Sequence, residues 1–294
     1  MNKKIQIFII LVFTLLAYAN IFRNTFVIDD QYFIQEWPLT RRWENVGQLL
    51  AGANPESQPG VYRPIRSILY TLYYQAWGTN PIGYHIHSLA VHLISTMLVY
   101  LICRKLLPKA AFTAGLLFGL HPIHTESITY IAASMEMTGV VFFLASLYTY
   151  LLNKKFLPVI FALLAFFTYE MTLTLPLLVL LYEITLGNKH WRKIVPIGIM
   201  AGMYVFVRIG IVQIEIARGD YLAYSSYHTQ LTMIQMWVKY LWMLVWPVSL
   251  SHNHTILPGF EAFMTPYSNQ QAILSQSIFD PMILGAIGVL GAIG

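Results

Sequence analysis

Long apolar runs separated by short polar breaks dominate the chain, and their lengths are those of helices in a bilayer. Crossing a hydrocarbon core of roughly 30 Å takes about 20 residues. The pattern predicts helices over about 5–22, 84–103, 110–120, 126–152, 156–169, 171–187 and 194–214. The stretch 231–250 reads either as a further spanning helix or, because it carries Gln235 and Lys239, as a re-entrant or interfacial segment. A last apolar run covers 278–294, and a polar segment rich in Trp, Tyr, Pro and Asn occupies 23–83. Alternating strands of about ten residues, as in an outer-membrane barrel, do not occur. The expected fold class is all-α: a polytopic transmembrane helical bundle of about eight or nine helices, with 1–294 as one membrane domain.

Composition agrees with this pattern. Hydrophobic residues make up 57% and charged residues 11%, against roughly 25% charged in soluble domains. The opening MNKKIQIFIILVFTLLAYANIF has the basic-then-apolar order of a signal peptide. Its apolar stretch is too long for a typical h-region and no A-x-A-like site follows, so it is read as an uncleaved first helix. The single cysteine, Cys103, forms no internal disulfide.

The net charge of +5 would suggest nucleic acid in a soluble protein. Here the cations sit in short loops: Lys3/Lys4, Arg104/Lys105/Lys109, Lys154/Lys155 and Lys189/Arg192/Lys193. Those loops contain no acid, which meets the positive-inside rule with the amino terminus in the cytoplasm. Nucleic acid is therefore not an expected partner; membrane lipids are. The opposite, extracytoplasmic side receives Asp29-Asp30, the HPIHTE turn (121–126), Tyr169-Glu170 and the loop after 214. That side is the plasma or inner membrane exterior in a bacterium and the endoplasmic reticulum lumen in a eukaryote.

Ionisable groups within helices cost at least about 2.5–3.5 kcal/mol and usually face the bundle interior or a wet cavity. Asp29-Asp30 reads as a solvated stop of the first helix or as a general base, with metal ligation a further option, because adjacent like charges raise one pKa. His121, His124 and Glu126 can converge on one anion or metal, or form a capped turn between helices; H-x-x-H-x-E is not the spacing of zinc proteases. Glu136 and Glu170 read as buried acids bonded to Ser, Thr or Tyr, or as functional carboxylates. Arg63 and Arg66 of YRPIR lie on the side that disfavours cations, so either a solvated loop or phosphate recognition accounts for them. Arg208 and Arg218 raise the same question. Trp37, Trp43, Tyr62 and Trp77 read as an interfacial belt, and His85, His87 and His92 as hydrogen-bonders in or beside the bundle.

Taken together, NTFVIDDQYFI (24–34), YRPIRSILY (62–70), YHIHSLAVHLISTMLVY (84–100) and GLLFGLHPIHTESITYIAASME (115–136) resemble one family. It is the transmembrane O-mannosyltransferases with tetratricopeptide repeats, multi-pass class C glycosyltransferases. Weaker matches are TYEMTLTLPLLVLLYE (168–183) and YLWMLVWPVSLSHNHT (240–255). The resemblance departs at Ser134, where the family usually has Arg, at Tyr169, where it has Lys, and near 252–254, where histidines replace an acid. The repeats that normally follow are missing, so the chain is expected to be short or truncated at its carboxy end.

The resemblance implies transfer of a sugar, mannose among the candidates, from a polyprenyl- or dolichyl-phosphate donor. The acceptor would be a hydroxyl, most naturally a protein Ser or Thr, on the extracytoplasmic side and with inversion. It implies Asp29 as base, with Asp30 second for that role or for orienting the site. His121, His124, Glu126, Glu136 and Glu170 would shape the donor or acceptor pocket, and Arg63, Arg208 or Arg218 would stabilise the departing phosphate. No cofactor is implied with certainty, and a divalent metal is an option that is not claimed. Two rival readings are a non-catalytic membrane scaffold and a transporter or flippase using Glu136 and Glu170.

Overall fold

Three helices set the frame. Helix α1 (Lys3–Tyr18) starts where the Asn2 side chain accepts the Lys4 N–H at 3.0 Å, and it continues as a 3-10 turn, Ala19–Arg23. Helix α4 (Pro81–Leu106) starts on Asn80, whose side chain accepts from Ile82 N, with Pro81 at the first helical position. Helix α7 covers Ile131–Leu151. These three are long and apolar enough to cross a membrane. The computed structural model describes residues 1–53, 60–187, 191–213, 226–248, 250, 255–257 and 260–261. The chain packs as two compact units, Met1–Ile216 and Ala217–Gly294.

The other apolar helices of the first unit are short: α5 (Ala111–Leu120), α8 (Leu157–Thr168), α9 (Leu175–Thr185) and α10 (Val195–Phe206), the last extended by a π turn, Val207–Ile211. At 1.5 Å per residue, α5, α8 and α9 rise only about 15–18 Å, roughly half a hydrocarbon core. Their large apolar side chains remain outward, with Leu117 at 63% and Ile160 at 50% exposed, as are Phe8 at 67% and Leu16 at 67% on α1. So much exposed apolar surface fits lipid, not water. The chain is an all-α membrane bundle.

Core packing and hydrogen bonds fix the directions. Tyr84 shares one core cluster with Ile131 and Met135, and Ile102 shares another with Leu147 and Leu151, so α4 and α7 run parallel, tied near their starts by Ser88 Oγ donating to Ser134 Oγ at 2.7 Å. The Tyr100 hydroxyl donates to Gln6 at 2.8 Å, placing the start of α1 beside the end of α4. At the other end of α1 the Tyr18 hydroxyl donates to the His121 carbonyl at 2.9 Å. Helix α8 folds back on α7, tied by Ser146 Oγ to the Pro158 carbonyl at 2.7 Å. Lys193 Nζ reaches Asn153 Oδ1 at 2.9 Å, joining the start of α10 to the turn after α7. The basic helix ends therefore share one end of the bundle. Asp29-Asp30, HPIHTE and Glu170 lie toward the other.

Several predicted elements are corrected. The segment 23–83 is not simply a loop: it contains α2 (Val46–Leu50) and α3 (Pro64–Trp77), the latter burying Arg66, Ser67, Tyr70 and Thr71. Its polar and aromatic face hid α3 from a search for apolar runs. The helix expected over 126–152 breaks at extended Tyr130 into α6 (Thr125–Thr129) and α7. The helix expected over 171–187 is a 3-10 turn, Glu170–Thr174, followed by α9. Of the expected aromatic belt, Trp37 and Tyr62 are instead buried in core clusters, while Trp43 is exposed.

In the second unit, α11 (Ser226–Val245) carries a mainly apolar part, Met233–Val245, interrupted by Gln235 and Lys239, that rises about 20 Å. A minimal antiparallel ladder pairs β1 (Thr255–Leu257) with β2 (Phe260–Glu261). The expectations for the loop after helix 194–214, for His252 and His254 and for 278–294 fall outside the described residues.

Candidate active site

The Asp29-Asp30 pair follows a strained residue. Ile28 has φ +49, which a β-branched side chain rarely adopts. That reversal turns Asp30 inward, where it is fully buried. Its carboxylate accepts Ala132 N at 2.7 Å, Ile131 N at 3.3 Å and Val27 N at 3.3 Å. Two of these donors are orphan N–H groups of the first turn of α7. Asp30 thus caps a helix 101 positions away, and because it takes those N–H groups, the backbone breaks at Tyr130. Burial pushes the Asp30 carboxyl up to about 6, against the pull of the three backbone donors and with a small contribution from Asp29.

Asp29 is half-buried and is the side-chain hydrogen-bond partner of Tyr130. Burial first, and Asp29 second, push the Tyr130 phenol well up. Asp29 thus keeps some contact with the exterior while Asp30 is spent on backbone.

One turn into α7 a charged cluster begins. Arg63, just before α3, donates from Nε and Nη2 to the two Glu170 oxygens at 2.6 and 2.7 Å. Its Nη1 contacts Glu136 Oε1, which also accepts from Arg66 Nη1 at 2.8 Å. The Arg63 guanidinium lies over the Tyr169 ring at 5.0 Å, and Arg66 over Phe33 at 4.9 Å. Burial would raise the Glu170 carboxyl, but the Arg63 hydrogen bonds and charge outweigh it and hold the group low. Burial likewise works against the Arg63 charge, and Glu170 and Glu136 outweigh it. Gly139 makes room for Tyr169: a Cβ there would come within 2.7 Å of Tyr169 Cβ.

Arg208 adds a third guanidinium. Its Nη2 donates to the Gly60 carbonyl at 2.6 Å, while its Nε is buried without a hydrogen-bond partner. The neighbouring Tyr204 hydroxyl donates to the Tyr62 carbonyl at 2.9 Å. The Tyr70 hydroxyl, also buried and without a hydrogen-bond partner, feels Arg66, Asp30 and Glu136 electrostatically. It links the aspartate cap to the arginine cluster.

The HPIHTE residues form a separate aromatic packing. His124 lies 5.1 Å from His92 and 4.4 Å from Phe118, and His121 Nδ1 accepts Ile123 N at 3.2 Å. Burial, then His92 and His121, push His124 down to about 4, so it is neutral near pH 7. Among the described residues no three His, Cys, Asp or Glu side chains are grouped to hold a metal ion. His85, His87 and His92 bond Asn24 O, Tyr73 with Thr138, and Gly119 O. Glu126 opens α6, and Arg218 lies outside the described residues.

The structure therefore unites Arg63, Glu136 and Glu170, with Asp29-Asp30 on the preceding turn and Arg208 near Glu170. Sequence reasoning set Arg66 aside and missed Tyr70 and Tyr130. The available signal was spacing: Arg63, Arg66 and Tyr70 fall on one stripe at i, i+3 and i+7. At two departures from the family pattern, Ser134 is buried against Ser88 and Tyr169 offers an aromatic face to Arg63.

Fold and site together define a multi-pass α-helical membrane protein with a partly buried cluster of carboxylates and guanidiniums at one end. Comparison finds relatives that share a name. The chain is 22% identical to Caenorhabditis elegans protein O-mannosyl-transferase F38B6.6 over 302 residues, 95% of this chain and 43% of that protein. It is 32% identical to Drosophila melanogaster protein O-mannosyl-transferase Tmtc1 over 158 residues, covering 50% and 18%. To mouse protein O-mannosyl-transferase TMTC3 it is 34% identical over 94 residues, covering 32% and 10%. The resemblance read from the motifs is thus recovered by comparison, and the chain spans less than half the length of each of these relatives. No protein-family profile and no solved structure matches the chain.

Proposed function

We propose that this chain is the membrane part of a glycosyltransferase. It moves a sugar, mannose by the names of its relatives, from a polyprenyl-phosphate donor to a hydroxyl acceptor such as a protein Ser or Thr. The observation that carries this reading is the capping of α7 by Asp30, which sets the neighbouring Asp29 beside Tyr130 at the start of the helix that carries Glu136 of the Arg63–Glu136–Glu170 cluster. It puts a half-exposed carboxylate and a set of guanidiniums at one end of the bundle, as inverting transfer from a phosphate needs.

In the proposed step Asp29 takes the proton of the acceptor hydroxyl. The oxygen attacks the anomeric carbon from the face opposite the phosphate, and the sugar–phosphate bond breaks. The departing polyprenyl phosphate keeps the electron pair, and Arg208, with its free Nε donor, stabilises the charge that develops. Arg63 is already committed to Glu170 and Glu136 and acts as a positioning residue, as does Asp30, which holds Asp29 against α7. The basic end of the bundle faces the cytoplasm, so the reaction takes place on the other side.

The test supplies membranes bearing the protein with radiolabelled polyprenyl-phosphate sugars and hydroxyl acceptors, comparing wild type with Asp29→Asn. Transfer by wild type that falls by two or more orders of magnitude in the variant is expected. Equal transfer by both removes Asp29 from the mechanism. No transfer from any donor overturns the transferase reading in favour of a scaffold.

A further inference from the structure

At the end of the bundle away from the charged cluster, α7 stops in a turn that builds a pocket. Asn153 adopts φ +55, its N–H bonds the Tyr150 carbonyl at 2.8 Å, and Lys154 N bonds the Thr149 carbonyl at 3.0 Å. This is the helix stop in which a left-handed residue, here Asn in the place usually held by Gly, lets two backbone bonds close the last turn. The chain reverses there, so Lys154 and Lys155 project beside the first turn of α8. The segment before α10 arrives at the same place, where Lys193 is tied to Asn153 at 2.9 Å.

Between these elements lies a cavity of about 340 Å³. Lys154, Lys155, Arg192 and Lys193 line it together with Pro158 and Ile197. Four cations thus sit against an apolar wall. Tyr150, which also lines the cavity, donates a hydrogen bond to the buried acid Glu183 at 2.6 Å. Helix α7 runs 21 residues from the Asp30 cap to this pocket, about 30 Å, the thickness of a hydrocarbon core. The pocket therefore falls at headgroup depth in the leaflet opposite the candidate active site.

We infer that this pocket binds the phosphate headgroup of an anionic phospholipid, with the apolar wall of α8 and α10 receiving the start of the acyl chains. Cations at the cytoplasmic leaflet meet a negative surface, and basic pockets between spanning helices hold anionic headgroups. A soluble phosphate would use the cations but gain nothing from Pro158, Val159 and Ile197. The inference does not depend on the proposed transferase activity.

The experiment uses the full chain in mild detergent and follows its thermal midpoint and its retention of lipid. Dioleoyl phosphatidylglycerol, dioleoyl phosphatidylcholine and inorganic phosphate are added in turn. Phosphatidylglycerol is expected to raise the midpoint and the other two to leave it unchanged. The variant K154Q/K155Q/R192Q/K193Q is expected to bind the lipid more weakly by about fivefold per cation removed, following the energy of about 1 kcal/mol per cation. A second variant, K3Q/K4Q/K105Q/K109Q, removes equal charge from the same end outside the pocket and is expected to retain the shift. Equal losses in both variants reduce the effect to general charge attraction and overturn the inference. An equal rise with phosphatidylcholine, or with inorganic phosphate alone, overturns it too.

Discussion

Replacing Arg63 by Met tests whether the cluster at the start of α7 is an energetic unit. Arg63 makes two charge-assisted bonds to Glu170, at 2.6 and 2.7 Å, and a further contact to Glu136. The side chains are 11% exposed for Arg63 and 21% for Glu170. Breaking a fully buried pair costs about 3–5 kcal/mol, because the remaining charge is left without compensation. The residual water contact of Glu170, and the Arg66 bond that still serves Glu136, reduce this to about 2–3 kcal/mol for Arg63→Met. Glu170→Gln should cost about 2 kcal/mol. The double variant, with neither charge present, should cost about 2 kcal/mol less than the sum of the two. Denaturant unfolding of the full chain in detergent, followed by tryptophan fluorescence, reads all three.

The pH dependence supplies a second handle on the same pair. Glu170 is held low in the folded chain by Arg63. Its stabilisation is therefore fully present above the unfolded value of about 4.3 and is lost as pH falls through the lower folded value. In Arg63→Met that acid-side loss should shrink or vanish. Single-variant costs that add within about 0.5 kcal/mol, or an unchanged acid limb, would refute the reasoning.

Asp30 has the opposite sign. Its carboxyl is pushed up to about 6 by burial, so between about pH 4 and 6 the folded chain holds a proton that the unfolded chain releases, and stability falls as pH rises across that window. Two units correspond to about 3 kcal/mol; Asp30→Asn should flatten the slope, measured as thermal midpoints at pH 4.5 and 7, and an identical slope in both would count against the buried cap. Gly139→Ala places a Cβ within 2.7 Å of Tyr169 Cβ and should destabilise by about 1–3 kcal/mol through overpacking. Gly198→Ala, where a Cβ meets nothing within 4 Å, should leave the thermal midpoint unchanged or slightly raised.

The helices that mattered most for topology were readable because hydropathy is a local property. The starts of α1 and α4 fell within three residues of expectation, and α5 and α8 emerged as short elements with their polar stops where HPIHTE and Tyr169-Glu170 begin, whereas α10, expected over 194–214, ends as an α-helix at Phe206 and passes into a π turn. The buried α3 escaped because its inward face carries Arg66, Ser67, Tyr70 and Thr71 instead of a lipid-compatible run. The break at Tyr130 escaped for a different reason. Nothing in TESITYIAAS demands it; the demand comes from Asp30, which takes two N–H groups that a continuous helix would have used itself.

The same division separates the two aspartates. Neighbours in sequence, they point to different surroundings: Asp30 to backbone, Asp29 to Tyr130. Only the positive φ of Ile28 and the docking of that turn on α7 distinguish them. Composition, run length and loop charge by themselves determined an all-α membrane bundle with the cations of its short loops gathered at one end, because lipid imposes length and sign on every spanning segment. Tertiary structure alone decided that Arg63 joins Glu136 and Glu170, 73 and 107 positions away. A buried charge takes the partner that packing brings within reach, and no pattern along the chain specifies which one that is.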